Sequence, residues 1–415
     1  MRLLFLSNFY PPASRGGYEQ WCQEVAEGLR SRGHEILVLT SSYGQGGLEE
    51  PDPIWVLRRL HLEMEFVSLR NGLEFFTARK RRERENLDLL RQQIDVFRPD
   101  IVLIWGMWNL PRSLAALAEA LLPGHVVYYM GDYWPTLPSQ YAFYWEAPAR
   151  TWVTTLPKCL LQPIAGWVLA REKQPDLSFG HVLFPTAFMR DELRRRGISP
   201  QETKIVYGAV DTSHYQFRNG SSNTRHDGGL SLLYVGRLTA EKGVHTAIQA
   251  LGGLVRQQGF NHLSLSIVGD GEPEYEARVR QLVQQEKVEG LVHFLGAQPR
   301  EAMPEIYRQA DVFLFTSIWP EPFGRVLIEA MASGVVIVGT ATGGAAEILT
   351  EQEQALIFPP GDAVGLAAQI RRLVEAPPLR QQLARAGRDI ALERFDIRRM
   401  TAEIEAYLQM VVNGS

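Results

Sequence analysis

Ser317-Ile318-Trp319-Pro320-Glu321-Pro322-Phe323-Gly324-Arg325-Val326-Leu327-Ile328-Glu329-Ala330-Met331-Ala332-Ser333-Gly334 follows the apolar run Val312 to Phe315. That run reads as a buried strand. Pro322 suits the first turn of a helix, because it has no N–H to leave unpaired, and Gly334 stops a helix running from about Gly324 to Ser333. A strand that feeds a helix through a short loop is the repeating unit of an open parallel sheet, and it places the helix N-terminus at the strand's C-terminal edge. There the backbone amides of Phe323, Gly324 and Arg325 carry a partial positive charge, and a diphosphate is the natural guest.

Working outward, the same alternation of apolar runs and amphipathic segments fills the chain, the pattern of buried parallel strands joined by crossover helices. Before the middle the runs are Leu3 to Ser7, Ile36 to Ser41, Ile101 to Trp105, Val126 to Met130 and Val182 to Phe184; after it they are Leu232 to Val235, Ser264 to Val268, Val292 to Leu295, Val312 to Phe315 and Val335 to Val338. The polar, glycine-rich stretch Asn219 to Gly229 separates the two series, so the boundary falls between about Pro185 and Leu230. A chain of 415 residues exceeds what one core usually serves. The expected class is α/β with two doubly wound, Rossmann-like domains, residues 1–200 and 201–395, facing each other across a ligand-binding cleft. Residues 396–415 close the chain as a helix packing back on the first domain, with Ile404, Tyr407, Leu408 and Val411 at helical spacing.

Bulk composition narrows the function classes. With 45% hydrophobic and 22% charged residues the chain is an ordinary globular one, and a formal net charge of −4 offers no global attraction to nucleic acid. Cys22 and Cys159 are the only two cysteines, far apart, and are expected to be free thiols in a reducing compartment. The N-terminal apolar run is too short for a signal peptide, and Pro157, Lys158 and Pro163 break the longest apolar stretch, so a cytoplasmic location is expected.

Glu321 precedes the helix and Glu329 lies within it. A carboxylate accepts paired hydrogen bonds from vicinal hydroxyls, so one could hold a sugar and the other a ribose on either side of the diphosphate. The alternative is a solvated helix residue and a simple N-terminal helix charge. Tyr234-Val235-Gly236-Arg237-Leu238-Thr239-Ala240-Glu241-Lys242-Gly243 adds a glycine that lets backbone approach a ligand and two cations, Arg237 and Lys242, able to stabilise a departing diphosphate. Solvated surface cations remain the competing reading. No Asp-x-Asp motif is present to bind a metal, no phosphate loop ends in Gly-Lys-Ser/Thr, and no Gly-x-Gly-x-x-Gly follows the first strand, which sets aside nucleotide hydrolysis and dinucleotide redox. Gly269 and Gly271, Leu295 with Gly296, and Gly343-Gly344 through Glu347 end strands or open helices and could place amides around a base or sugar, or serve turn geometry alone. In the first half, Gly16-Gly17 would open a helix over the cleft.

In this order the elements resemble family 4 of the retaining glycosyltransferases, which have the GT-B fold. The resemblance covers nearly the whole chain: Gly16-Gly17, Gly236-Arg237 to Lys242-Gly243, Gly269-Asp270-Gly271, Glu321 to Glu329, and Gly343-Gly344 to Glu347. It implies that Glu321 contacts the donor sugar, Glu329 the ribose, and Arg237 and Lys242 the diphosphate, with retained anomeric configuration and no metal or other cofactor. The implied donor is a nucleoside-diphosphate sugar, UDP-sugar favoured over GDP-sugar; the acceptor is a glycan, a lipid-linked or a small molecule. One departure stands out. Many relatives carry a His-Asp pair where this chain reads Met130-Gly131-Asp132, so Gly131 replaces the histidine, leaving Asp132 as a polar contact to sugar or acceptor, or as a helix cap. Front-face substitution is the implied mechanism.

The acceptor side is less legible. Trp134, Tyr141, Phe143, Tyr144, Trp145 and Trp152 could stack on a sugar or lipid, with core packing the plainer role for most. Arg79-Lys80-Arg81-Arg82-Glu83-Arg84 forms a basic patch that would touch anionic headgroups in a peripheral contact at the inner membrane face, or serve only as a solvated helix face. Rival functions on the same architecture are a sugar-nucleotide 2-epimerase, a glycan phosphorylase and a non-catalytic sugar-nucleotide binding protein.

Overall fold

The computed structural model describes residues 1–14, 16–47, 51–65, 71–149, 152–217, 229–258 and 260–414. The polar break at Asn219 lies outside the described residues up to position 228. The chain divides into two compact units, Met1–Val206 together with Thr401 onward, and Tyr207–Met400.

The first unit is built on β1 (Arg2–Ser7), β2 (Glu35–Ser41), β3 (Val56–Leu60), β4 (Ile101–Ile104), β5 (Val126–Tyr129), β6 (His181–Phe184) and β7 (Glu202–Ile205), all parallel in the order β3-β2-β1-β4-β5-β6-β7. Its helices are α1 (Gly17–Ser31), α2 (Asn71–Thr77), α3 (Arg79–Phe97), α4 (Ser113–Leu121), α5 (Gln140–Glu146), α6 (Trp152–Arg171) and α7 (Ala187–Arg195). The central strands β4 and β5 are buried along their whole length, because a parallel sheet with helices on both faces hides both sides of each strand. Leu4, Leu6, Val102, Ile104, Val126 and Tyr128 lie in one such core layer.

The second unit repeats the plan. Its strands are β8 (Ser231–Val235), β9 (Ser264–Val268), β10 (Val292–Gly296), β11 (Val312–Phe315), β12 (Val336–Gly339) and β13 (Ala355–Ile357), parallel in the order β10-β9-β8-β11-β12-β13. Its helices are α8 (Val244–Gln258), α9 (Pro273–Glu286), α10 (Met303–Gln309), α11 (Arg325–Ala332), α12 (Ala363–Glu375) and α13 (Pro377–Arg394). In both sheets the strand order reverses once, between β1 and β4 and between β8 and β11. That is the doubly wound arrangement, whose ligands bind at the reversal point beyond the strand C-termini. The last helix, α14 (Ile397–Asn413), buries Ile404, Tyr407, Leu408 and Val411; within the first unit its Glu405 meets Arg32 and His34 at 2.6 Å each.

Three strands escape the apolar-run reading: β3, β7 and β13. All are edge strands, with one face or end half-solvated, so their sequences Val-Leu-Arg-Arg-Leu and Glu-Thr-Lys-Ile carry charges where β4 and β5 have none, and β13 spans only three residues. The two cysteines are free, Cys22 buried and Cys159 exposed.

Candidate functional site

At the reversal point of the second sheet, two loops are pressed together through glycine. Gly269, with φ +127°, follows β9 so closely that a Cβ there would lie 2.0 Å from the Gly236 carbonyl oxygen. Leu238 N–H then donates to Asp270 O at 2.7 Å, carrying the strand pairing past β8 and β9 to Gly271. The loop after β8 ends in a single 3-10 turn, Ala240–Lys242, closed by Gly243 at φ +70°. A Cβ on Gly243 would sit 2.1 Å from Thr316 O, so only glycine lets this turn lie against the loop after β11.

That contact assembles a cluster. Thr316 Oγ1 donates to Lys242 O at 2.9 Å and Ile318 N–H to Glu241 O at 2.8 Å, which draws the two loops into register. Lys242 Nζ then donates to Glu321 Oε1, and Ser317 Oγ donates to the same oxygen at 2.8 Å. Gly344 N–H donates to Glu321 O at 2.6 Å and fixes its backbone. Glu321 is buried, whereas Lys242 keeps about a quarter of its side chain in solvent, 24%. Arg237 is exposed and forms no ion pair among the described residues. A carboxylate loaded by two donors, one of them a cation, can hold a polar ring while that cation meets phosphate.

α11 supplies a second cluster. Gly324 caps it at φ +107° and Pro322-Phe323 lead into it, so its N-terminus carries the expected partial positive charge. Glu329, one turn on, is buried rather than solvated: Arg325 Nε donates to its Oε1 and Tyr307 OH to its Oε2, both at 3.0 Å. The Arg325 side chain is therefore turned along its own helix. Burial first, then the Glu329 charge, pushes the Tyr215 and Tyr307 phenols well above their ordinary range, which keeps both protonated as donors. Leu295, the penultimate residue of β10, is exposed, with β9 standing between that strand and β8.

The reversal point of the first sheet is built differently. Gly16 is the N-cap of α1 and Gly17 its first residue. Tyr18, in the first turn, shares its one hydroxyl proton between Trp105 O and Tyr129 O, and accepts from Gly131 N–H at 3.2 Å. Trp105 and Tyr129 stack behind it at 4.4 Å and 14°. A Cβ at position 131 would lie 2.5 Å from Tyr18 Cε2, so the Tyr18 ring fills the room that a histidine there would need. Beside it Asp132 is partly exposed as a residue, but its Oδ1 is sealed from solvent and has no hydrogen-bond partner among the described residues. Burial, against a Trp134 backbone hydrogen bond and aided by the Glu19 charge, pushes the Asp132 carboxyl up to about 7. Arg58, buried in β3, holds the preceding loop by donating to Tyr10 O at 2.8 Å and Pro11 O at 2.6 Å while pairing with Asp52 at 2.9 Å.

Of the aromatic run, Trp134, Tyr141 and Trp145 are core residues, Phe143 is exposed, and the Trp152 side chain lies outside the described ones. Ser317, Tyr307, Tyr18 and Arg58 were not singled out from sequence. Ser317, four residues before Glu321, is the one that a motif reading could have caught, because it sits within the same loop.

A model of Glycosyltransferase Family 4 matches residues 15–214, and one of Glycosyl transferases group 1 matches residues 219–390. The Mycobacterium tuberculosis glycogen synthase is 26% identical over 420 residues, spanning 98% of this chain and 94% of that protein. The N-acetyl-alpha-D-glucosaminyl L-malate synthase of Bacillus anthracis is 29% identical over about half of each chain, 49% and 53%. Among solved structures, Anabaena HepE in complex with UDP and glucose superposes with a TM-score of 0.70 at 21% identity over 99% of both chains. Sucrose-phosphate synthase from Thermosynechococcus elongatus gives 0.71 at 18% identity over 100% of both chains.

Proposed function

The chain belongs to the group 1 glycosyl transferases of family 4, GT-B enzymes that transfer sugar from a nucleotide sugar, and on that premise we propose that it does so with retention and without a metal ion. The observation that carries this reading is the meeting of Lys242 and Glu321, a cation from the loop after β8 and a carboxylate from the loop after β11, at the reversal point of the sheet.

In this reading the diphosphate lies against Lys242, Arg237 and the N-terminus of α11, with the backbone of Gly236, Gly269, Gly271, Pro322, Phe323, Gly324 and Arg325 around it. Lys242 exchanges Glu321 for phosphate, and Glu321 turns to the sugar hydroxyls. Glu329, held in place by Arg325 and Tyr307, is the carboxylate that would accept from the vicinal hydroxyls of ribose. An acceptor hydroxyl attacks C1 as the C1–O bond to the β-phosphate breaks, and Asp132 is the carboxyl of the N-terminal unit proposed to contact sugar or acceptor. The hydroxyl proton passes to the departing phosphate oxygen, so the new bond forms on the face that the phosphate leaves. Lys242 and Arg237 offset the charge that grows on the leaving group, the role a metal would otherwise take. UDP-sugars are the favoured donors, ahead of GDP-sugars, and the acceptor is a glycan, a lipid-linked or a small molecule.

A thermal-shift series with UDP-, GDP- and ADP-sugars in the presence of EDTA tests this, since a ligand at 100 times its dissociation constant adds about 2.7 kcal/mol. A UDP-sugar should stabilise the protein most, and the product's anomeric configuration by NMR should match the donor's. Stabilisation only with added divalent metal, an inverted product, or a sugar epimer formed without acceptor would each reject the reading.

A further inference from the structure

α6 has two apolar faces, and among the described residues only one of them is covered. Leu161, Ala165, Val168 and Leu169 pack into the small cluster of Met64, Phe75, Tyr141 and Trp145. On the other side Leu156, Leu160, Ile164 and Trp167, spaced by four, four and three residues, form a stripe that is 68%, 66%, 53% and 57% exposed. Pro157, Cys159, Pro163 and Gly166 between them are exposed as well, and residues 152 to 171 contain no Asp or Glu. Leu73 of α2 and Phe143 of α5, two helices packed on the same cluster, are also largely exposed. Isolated exposed leucines are ordinary, but a row of large apolar side chains along one helix marks a surface that meets an apolar medium.

The border of this stripe is cationic. Arg171 sets its guanidinium 3.8 Å over the Trp167 ring, an aromatic and a cation together at the end of the stripe, as at a lipid interface. Glu172 joins that end to α3, bonding Arg79 at 2.6 Å and Lys80 at 3.0 Å. Residues 79 to 84 hold five cations against Glu83 alone; their other partners, Glu74, Glu85 and Glu172, leave one positive charge, and Arg171 with Lys173 raise the local excess to three, on a chain of net charge −4. We propose that the outer face of α6, bordered by Arg171, Lys173 and the first turns of α3, docks the N-terminal unit on an anionic lipid bilayer. A second copy of the chain fits less well, because a two-fold contact through this stripe would bring the same cationic border against itself. Headgroups of opposite charge meet that border, while the leucines, isoleucine and tryptophan enter the acyl boundary. No helix of the described residues is long and apolar enough to cross a membrane, so the contact lies in the interface plane.

Co-flotation of the full chain with phosphatidylglycerol-rich or neutral phosphatidylcholine vesicles tests this without any sugar nucleotide, so its outcome is separate from the donor reading. The wild type should float with the anionic vesicles, less so at high salt. Leu160→Glu with Ile164→Glu should cut the bound fraction by about tenfold or more at unchanged Tm, and Arg81→Glu with Arg84→Glu should weaken it less. No flotation of the wild type, equal binding to both vesicle types, undiminished binding of the stripe variant, or a dimer in sedimentation that the stripe variant dissolves would overturn the proposal.

Discussion

The reversal points of the two sheets occupy equivalent places in equivalent folds, yet they are held together by different forces. In the second unit the edge is organised by charge: Lys242 with Glu321, brought together by loops that touch through Gly243, and Arg325 with Glu329 one turn apart on α11. In the first unit it is organised by rings and main chain: the Tyr18 hydroxyl pinned to three backbone groups, the Trp105 and Tyr129 stack, and one carboxyl, Asp132, with an unpartnered oxygen. A charged edge suits an invariant anionic ligand such as a diphosphate. An aromatic edge specifies a shape, which is what distinguishes one acceptor from another.

The comparison breaks first at Lys242. Lys242→Ala should lower turnover of the accepted UDP-sugar by on the order of a hundred- to a thousandfold, as loss of a charge-stabilising group does. Losing Lys242 also leaves the buried Glu321 carboxylate with one donor fewer, so a folding cost of about 1–3 kcal/mol should accompany the loss of turnover without unfolding the protein. Arg237→Ala, with no ion pair to lose among the described residues, should leave Tm unchanged while slowing turnover. Near-wild-type turnover in both variants would mean that the charged edge does not stabilise a leaving group.

Next in size is backbone contact. Gly269→Ala places a Cβ against Gly236 O in a left-handed conformation and should cost on the order of 3 kcal/mol in urea unfolding. Gly33→Ala, at φ +91° with nothing within 4 Å, should cost only about 1 kcal/mol. Similar values for the two would show that the loops after β8 and β9 are not in fact pressed together.

The aromatic edge is probed by a cycle. Gly131→Ala should destabilise by about 2 kcal/mol in the presence of the Tyr18 ring and by much less in a Tyr18→Ala background. Additive losses would mean that Tyr18 does not occupy the space over position 131.

The smallest effect depends on pH. Burial raises the Asp132 carboxyl to about 7, so the folded state holds a proton that the unfolded chain releases near pH 4. Asp132 therefore contributes stability in acid that is lost as pH rises from about 4 through 7, with Glu19 and Tyr18 the titratable groups facing it. Asp132→Asn should raise Tm relative to the wild type at about pH 8 and bring no gain at about pH 4. A constant difference across that range would show that Asp132 is not held in its neutral form.

The same contrast explains what could be read in the chain. Central strands such as Ile101 to Ile104 are apolar on both faces and stand out, whereas β3 and β7 lie at edges and carry Arg58, Arg59, Glu202 and Lys204. The charged edge is legible because its residues are few, distinctive and framed by glycine within short motifs. Its internal pairing is not, since Lys242 meets Glu321 across 79 residues and Glu329 finds Tyr307 on another helix. Tyr18 and Gly131 stand 113 residues apart, and no local pattern signals that one ring fills the other's space. Gly131 looks like a missing histidine until the ring is seen.

A structure of the protein with UDP bound addresses the charged edge most directly. The expected result is a phosphate oxygen at about 2.7–3.2 Å from Lys242 Nζ, with that lysine released from Glu321. A diphosphate bound elsewhere, or bound while the Lys242–Glu321 pair stays intact, would contradict the assignment.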